Sequence, residues 1–296
     1  MAAADFEKYL LSERNYSPHT AAAYLRDLKQ FAEFCLEEFD SSDTQAVVYP
    51  MIRSWIISLV ESGVENRSVN RKISSLKSYY TFLLRKGRID KSPLAGHKTL
   101  KTSRKLEVPF SQEEMERLLG NWDGEEGFEA IRDRLILELL YTTGIRRAEL
   151  IGVQMPDLDL ASGTLRVLGK RNKERVLPLL EQTRTLMGRY LSYRAEVITA
   201  DSTAHLFLTS AGQKLYPTLV YRIINKYLSE VSVKAKRSPH ILRHTFATHL
   251  LNKGADMNSV KELLGHASLA STQVYTHNSI AELKRAHEKA HPRNRE

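Results

Sequence analysis

The sequence has almost no cysteine and no long hydrophobic run. Its 296 residues include one cysteine, Cys35, so an internal disulfide is excluded. No apolar stretch approaches the roughly 18 residues of a membrane-spanning helix, and charges come too early in MAAADFEKYLLSERN for a signal peptide. Internal repeats and low-complexity tracts are also absent. We therefore expect a cytoplasmic protein that is neither disulfide-stabilised nor attached to a membrane.

Positive charge is in excess and unevenly distributed. The chain has 44 Lys and Arg against 35 Asp and Glu, a formal net charge of +9. Residues 1–65 contain 5 basic and 11 acidic residues, whereas residues 66–105 contain 12 basic residues and one acidic residue. Such a stretch can be a solvated helix face or a surface that follows DNA phosphates. The local excess favours the phosphate surface, and the candidate contacts on its helix are Arg71, Lys72 and Lys77.

The length predicts two domains. The first, residues 1–97, reads as wholly helical. Proline and capping signals start helices at Ser17-Pro18, Pro50 and Ser68, and Gly63 and Gly87 end the last two. Their predicted buried faces are Leu25, Leu28, Ala32 and Cys35; then Ile52, Ile56 and Leu59; then Ile73, Leu76, Tyr80, Leu83 and Leu84.

A polar, basic linker is predicted over residues 98–108, followed by a mixed domain over residues 109–296. A capping box, Ser111 with Glu114, opens this domain. A β-hairpin is predicted from strands Thr164–Leu168 and Arg175–Pro178 around the turn GKRNKE. The predicted helices are 112–120, 128–142, 147–153, 182–196, 217–231, 239–253, 256–264 and 270–274. The fold class is therefore mainly α with a small β element.

The segment TTGIRRAEL, residues 142–150, places an arginine at a helix start. Gly144 permits an unusual backbone there, and Arg146 follows in the first turn. A cation at this position opposes the helix dipole, which suggests an anionic ligand nearby. A surface pair of Arg146 or Arg147 with Glu149 would explain the same residues.

The hairpin tip carries Lys170, Arg171 and Lys173. A lysine on such an arm can reach a phosphate or protonate a leaving oxygen. A solubilising turn would have the same composition.

The segment HILRHTFATH, residues 240–249, is compatible with two chemistries, phosphate binding and metal binding. His240 and Arg243 share a helix face and can bind one phosphate. His240 and His244 have the spacing of a zinc pair, but no glutamate follows His240 and cysteine ligands are absent. We therefore predict no metal site, and interpret His244 and His249 as packing or hydrogen-bonding residues.

The segment LLGHASLASTQVYTH, residues 263–277, contains His266 and, nine residues later, Tyr275. A tyrosine becomes a useful nucleophile where a base or a cation favours the phenolate. An ordinary amphipathic-helix tyrosine is the alternative.

Taken together, the order R…K…H-x-x-R…H…Y resembles the tyrosine recombinase (phage integrase) family, and within it the Xer recombinases. TTGIRRAEL, GKRNKERVLPL, SPHILRHTFATHLLNKGAD and LLGH…TQVYTH carry the match, and SPHTAAAYLRDLKQF resembles the family's SAM-like, DNA-clamping core-binding domain. The sequence departs from the usual pattern at Arg171, where glycine is common, and at ASLAST. Neither departure falls on a catalytic position.

The resemblance implies that Tyr275 is the nucleophile and that Arg146, Lys170, His240, Arg243 and His266 complete the catalytic set. It implies a 3′-phosphotyrosyl intermediate and a Holliday junction, with no cofactor and no metal. The implied partners are double-stranded DNA with two half-sites and a homo- or hetero-tetramer of recombinases. The implied role is chromosome-dimer resolution at a dif-like site, activated by a septal DNA translocase. A C-terminal helix at about 280–296 would dock into a neighbouring protomer.

Three other functions fit part of this pattern. A mobile-element integrase shares the chemistry; we expect no additional N-terminal arm-binding domain, which argues against the larger integrases. A type IB topoisomerase would use the same nucleophile without exchanging partners. A non-enzymatic DNA-binding protein would need no catalytic set.

Overall fold

The computed structural model describes the chain except residues 1, 103–107, 121, 123–125, 170–172, 200–201, 203, 233–236, 266–284, 286 and 295–296. Its contacts divide the chain into two units, Met1–Lys105 and Leu106–Glu296. Among the residues described, no helix has both the length and the apolar character needed to cross a bilayer. The fold class predicted from the sequence, mainly α with a small β element, is confirmed.

The first unit is a helical bundle. Its helices are α1 (Ala2–Lys8), continued by a π-helical turn at Tyr9–Glu13, α2 (Pro18–Phe39), α3 (Tyr49–Glu61) and α4 (Asn66–Arg85). The cap at the start of α2 forms as predicted, because Ser17 Oγ accepts the Thr20 backbone N–H at 3.2 Å. The core is rich in aromatic side chains, among them Phe6, Phe31, Trp55, Tyr80 and Phe82.

Two details of the predicted helices are wrong. Helix α4 begins two residues before Ser68, at Asn66, and no side chain caps it. Leu84 is 37% exposed, so the buried stripe of α4 ends at Leu83. The predicted linker also begins by bonding to α4, since Asn70 exchanges hydrogen bonds of 2.9 Å with both backbone groups of Leu100.

Helix α2 buries an aspartate among its apolar residues. Asp27 accepts two bonds from Arg71, at 2.6 and 3.0 Å, one from Ser75 at 2.7 Å and one from Lys72 at 3.3 Å. Burial raises the pKa of this carboxyl, but the three donors outweigh burial and hold the pKa below its ordinary value. The carboxylate therefore fixes α2 against α4 in its ionised form, and this stabilisation is lost as the pH falls through the depressed pKa.

Asp27→Asn is expected to destabilise the first unit by about 2–3 kcal/mol, because the buried network loses its negative charge and one of the two acceptor oxygens. Urea unfolding followed by circular dichroism measures this loss. Glu33→Gln is the matched control on the same helix, since Glu33 pairs with Lys29 at 3.7 Å in solvent; its effect should stay below about 1 kcal/mol. Equal effects of the two substitutions would contradict the structural role of Asp27.

The second unit places helices around a three-stranded antiparallel sheet. The strands are β1 (Leu158–Asp159), β2 (Thr164–Leu168) and β3 (Glu174–Pro178), in the order β1-β2-β3. The predicted hairpin β2–β3 forms, and the structure places Leu165 opposite Leu177 on its buried face. Strand β1 was not predicted, because two residues are too few to show a period.

The helices of the second unit follow the predicted ranges closely. They are α5 (Gln112–Gly120), α6 (Phe128–Thr143), α7 (Arg147–Gly152), α8 (Glu181–Val197), α9 (Pro217–Val231), α10 (Pro239–Asn252) and α11 (Met257–Leu264). The helix predicted at 270–274 lies outside the described residues. Helix α6 is buried on nearly all sides, so it forms the centre of this unit.

Candidate active site

A glycine turn at the end of α6 presents Arg146. Gly144 ends α6 with a left-handed backbone, φ +61°. A Cβ atom on this residue would lie 2.5 Å from Phe246 and 3.0 Å from Leu264, so only glycine fits. Arg146 is the residue before the first turn of α7, not within that turn as predicted from the sequence.

Glu149 holds Arg146 in place. Its Oε1 accepts Arg146 Nη1 at 2.7 Å and its Oε2 accepts the Arg146 backbone N–H at 2.9 Å. The surface pair considered from the sequence thus exists, but Glu149 is buried and Arg146 is 36% exposed. The guanidinium is therefore oriented from behind and remains open to a ligand.

Arg175, from β3, is the second partner of Glu149. Its Nη1 and Nη2 donate to the two carboxylate oxygens at 2.8 Å each, and both side chains are buried. Burial raises the pKa of Glu149, but the bonds from Arg175 and Arg146 outweigh burial and keep that pKa below its ordinary value. Glu149 is therefore an anion at neutral pH, placed between two arginines.

Arg243 reaches the same place from α10. Its guanidinium donates to the backbone carbonyls of Gly144 and Leu264. Burial, together with the charges of Arg146 and Arg175, lowers the pKa of Arg243 to about 10. The group remains a cation at neutral pH.

The three arginines meet at the C-terminal end of α11. Arg175 Nε donates to Leu263 O at 3.0 Å, Arg243 to Leu264 O, and Arg146 Nη2 to Gly265 O at 3.3 Å. The last carbonyls of a helix lack helical partners and carry partial negative charge. Three cations from three separate elements thus bind three consecutive carbonyls, and we call this group the arginine cluster.

The arginine cluster has a surplus of positive charge. Arg146, Arg175 and Arg243 are opposed by one carboxylate, Glu149, within the bonds described. The three guanidinium groups lie close together, because they bind three consecutive carbonyls. An anion such as a phosphate would relieve this repulsion, and arginine matches its geometry.

His240 and Arg243 start on one helix but differ in burial. His240 is exposed in the first turn of α10, whereas Arg243 is buried. His244 is also exposed. His249 is buried, with Nε2 donating to Phe110 O at 2.9 Å and Nδ1 accepting from the Tyr141 hydroxyl at 2.9 Å. His249 is therefore a hydrogen-bonding residue, as predicted; within the described ranges no group of three His, Cys, Asp or Glu side chains could hold a metal ion.

The two residues that flank the hairpin turn, Gly169 and Lys173, lie beside the arginine cluster. Gly169 N–H donates to Lys173 O at 2.7 Å, which closes the turn, and the Lys173 side chain is exposed. A Cβ atom on Gly169 would lie 3.5 Å from Glu149 and 3.6 Å from Arg175. The candidate catalytic residues Lys170, His266 and Tyr275, and the candidate DNA contact Arg171, lie outside the described residues.

The candidate DNA contacts of the first unit differ in how accessible they are. The Lys72 side chain is 12% exposed, with its ammonium directed to Asp27 and Gln30 and 6.0 Å from the Trp55 ring. Arg71 binds Asp27 but is 49% exposed. Lys77 is exposed on α4. Arg71 and Lys77 are therefore better placed than Lys72 to meet a phosphate.

Sequence reasoning did not identify Arg175 as part of the site. Alternation within β3 signalled only that position 175 faces inward, and an inward arginine in a strand was the available clue. Its partners come from α7 and α11, which are remote in the sequence.

Family models match both units. The model of the phage integrase family matches residues 108–282, and that of the phage integrase N-terminal SAM-like domain matches residues 3–87. The tyrosine recombinase XerC of Chlorobaculum tepidum is 40% identical over 98% of this chain and 94% of its own length. The tyrosine recombinase XerC of Listeria innocua is 42% identical over 97% of this chain and 96% of its own length.

Solved structures show the same fold. The XerH site-specific recombinase bound to a palindromic difH substrate matches with a TM-score of 0.72 and 24% identity, over 96% of this chain and 83% of that one. The family models and the two XerC relatives confirm the resemblance identified from the motifs. The chain belongs to the phage integrase family of tyrosine recombinases and is a site-specific recombination enzyme.

Proposed function

We propose that this recombinase cleaves and rejoins double-stranded DNA at a site with two half-sites, using Tyr275 as its nucleophile. The observation that carries the proposal is the arginine cluster. Arg146 and Arg243, both in motif positions, converge with a surplus of positive charge around one buried carboxylate. A phosphodiester is the ligand of matching charge and geometry.

The chemistry follows from the roles assigned by motif. The Tyr275 phenol oxygen attacks the phosphorus, the bond to the 5′-oxygen breaks, and a 3′-phosphotyrosyl link forms. Arg146 and Arg243 stabilise the charge that grows on the non-bridging oxygens, and His266 donates a further hydrogen bond. Lys170 protonates the leaving 5′-oxygen, while His240 assists removal of the phenol proton. The 5′-hydroxyl of another strand then reverses the reaction and releases the tyrosine.

The energy of the broken ester is kept in the phosphotyrosyl link, so strand exchange needs no nucleotide. Two rounds of exchange pass through a Holliday junction. We propose that the two units close around the duplex, joined by residues 98–108, with Arg71, Lys77, Arg171 and Lys173 contacting phosphates. The positive charge concentrated in residues 66–105 supports this placement.

Chromosome-dimer resolution at a dif-like site is the role we propose. The relatives named XerC, at about 40% identity over nearly the whole chain, favour it over integration of a mobile element. Four protomers on two sites would assemble, linked by residues 280–296 of each chain. The mass of the protein–DNA complex checks this assembly, and a limit of two protomers on paired sites would argue against it.

A suicide substrate tests the chemistry. A dif-like duplex nicked beside the cleavage position loses its 5′-hydroxyl fragment, so the covalent complex accumulates. Wild-type protein should give this complex on a denaturing gel and Tyr275→Phe should give none, while both bind the duplex. Relaxation of supercoiled DNA without exchange between paired sites would instead indicate a topoisomerase, and an adduct that persists in Tyr275→Phe would exclude Tyr275.

A further inference from the structure

The geometry points to Arg175 as a positioning residue that aligns the catalytic segments without touching DNA. This inference rests on the proposed function and deepens it. Every nitrogen of the Arg175 guanidinium is engaged: Nη1 and Nη2 with Glu149 and Nε with Leu263 O. The group is buried in the protein, so it has no face left for a phosphate.

Arg175 acts on Arg146 through Glu149. Each oxygen of the carboxylate accepts one bond from Arg175 and one from Arg146. The carboxylate plane is fixed by the two parallel bonds from Arg175, and that plane sets the direction of the Arg146 guanidinium. Arg146, which is half-buried, thus takes its orientation from a fully buried pair behind it.

The same guanidinium sits between two other catalytic segments. A Cβ atom on Gly265 would lie 3.1 Å from Arg175 Cδ, and one on Gly169 would lie 3.6 Å from Arg175 Nη1. Gly265 directly precedes His266, and Gly169 directly precedes Lys170. Arg175 is therefore packed against the backbone that leads into both residues.

One side chain consequently holds three separate pieces of the sequence in register: the Arg146 turn, the hairpin and the end of α11. A lysine in its place keeps the charge but not the fork that matches a carboxylate. A displacement of about 1 Å in a catalytic group can cost on the order of 100-fold in rate. We expect Arg175→Lys and Arg175→Met to slow single-turnover cleavage about 10- to 100-fold at saturating DNA, with the dissociation constant for DNA within about twofold of wild type.

The matched control is Arg194→Met. Arg194 is also a buried arginine of the second unit, bonded to Leu206 O at 2.9 Å and His205 O at 2.8 Å, and it takes no part in the arginine cluster. This variant should lose stability and still cleave at the wild-type rate, once the folded fraction has been measured by circular dichroism. If Arg175→Met does not fold at the assay temperature, Arg175→Lys decides.

A double-variant comparison tests the route of the effect. In a Glu149→Gln background, adding Arg175→Met should slow cleavage by less than about threefold, because both substitutions remove the same constraint. A full 10- to 100-fold further loss would show that Arg175 does not act through Glu149. Wild-type cleavage rates in the folded Arg175 variants would overturn the inference while leaving the proposed function intact. A wild-type protein that forms no covalent complex would instead count against the proposed function.

Discussion

Arg243→Ala is expected to slow DNA cleavage about 100- to 1000-fold, the cost of removing one preorganised donor from a developing anion. Arg243 is held by the carbonyls of Gly144 and Leu264 before any substrate arrives, so little reorganisation is needed when charge grows on the phosphate. Its cation is also crowded by Arg146 and Arg175, and phosphate binding relieves that crowding. The single-turnover rate of covalent-complex formation, measured at saturating DNA, reports the loss.

Two further variants separate charge, geometry and stability. Arg243→Lys keeps a cation, but an ammonium is not a planar fork that can bridge the two carbonyls, so an intermediate rate is expected. Arg147→Ala is the matched control beside the site, because the Arg147 guanidinium is directed to Pro217 O at 3.5 Å and not into the arginine cluster. Arg147→Ala should cleave within about twofold of wild type after correction for the folded fraction. A folded Arg243→Ala protein with near-wild-type cleavage would remove Arg243 from the chemistry.

Local signals predicted the elements well. The Ser17 cap, the unusual backbone at Gly144 and the β2–β3 hairpin each depend on a few neighbouring residues, and all are present. The resemblance to the family also implied that Arg146 and Arg243 belong to one site. The structure brings them to the adjacent carbonyls of Gly265 and Leu264 at the end of α11.

Features that depend on distant partners could not be predicted. The apolar period of α2 leaves Asp27 out of the predicted buried face, yet Arg71, Lys72 and Ser75 of α4 surround it. Glu149 reads as half of a surface pair until Arg175 arrives from another element. In both cases a buried carboxylate is stabilised by cations more than 25 positions away in the chain, and no local period records such a contact.

The C-terminal segment illustrates the same limit at the end of the chain. From the sequence, residues 280–296 were assigned to a neighbouring protomer. In the structure, residues 287–294 pack on α6 and α10 of their own chain, with His287, Ala290 and His291 buried. His287 donates to Thr142 O and His291 to Tyr141 O at 3.3 Å, so the two rings cap the last turn of α6. We propose that in the tetramer this segment binds the same surface, formed by α6 and α10, on a neighbouring chain.

Docking of residues 287–294 on this surface should depend on pH because His287 and His291 are buried there. His287 Nδ1 is buried without a hydrogen-bond partner among the described atoms, and His291 Nδ1 accepts the Arg293 backbone N–H at 3.1 Å. Both rings are therefore neutral when docked, since a proton on either Nδ1 would be unsatisfied or would clash with a donor. Burial lowers the pKa of His287 to about 4 and that of His291 well below its ordinary value.

Acid should weaken docking, because the released segment binds more protons than the docked one. A released segment binds protons below a pKa of about 6.5, whereas the docked segment does not until the pH is far lower. Docking should thus be fully stable above pH 7 and weaken as the pH falls. Two histidines give about 2–3 kcal/mol of weakening between pH 7 and pH 5.5. Hydrogen exchange of residues 287–294, corrected for its intrinsic pH dependence, should accelerate over this interval.

Neighbouring groups determine how the acid effect must be tested. His249 and Tyr141 face the same cluster, and Glu138 pairs with Arg293 at 2.9 Å. Burial raises the pKa of Tyr141, so its hydroxyl stays neutral between pH 7 and pH 5.5. Burial lowers the pKa of His249, so His249 would add to the acid effect. The double variant His287→Gln/His291→Gln keeps amide donors for the two carbonyls and removes both imidazoles, so its exchange should stay nearly flat over that range. An equally steep response in the double variant would assign the effect to His249.

Tyr141 and Thr142 lie just before the turn that carries Arg146, so release of the segment should also disturb the arginine cluster. Wild-type cleavage should therefore fall more steeply below pH 6 than cleavage by the double variant.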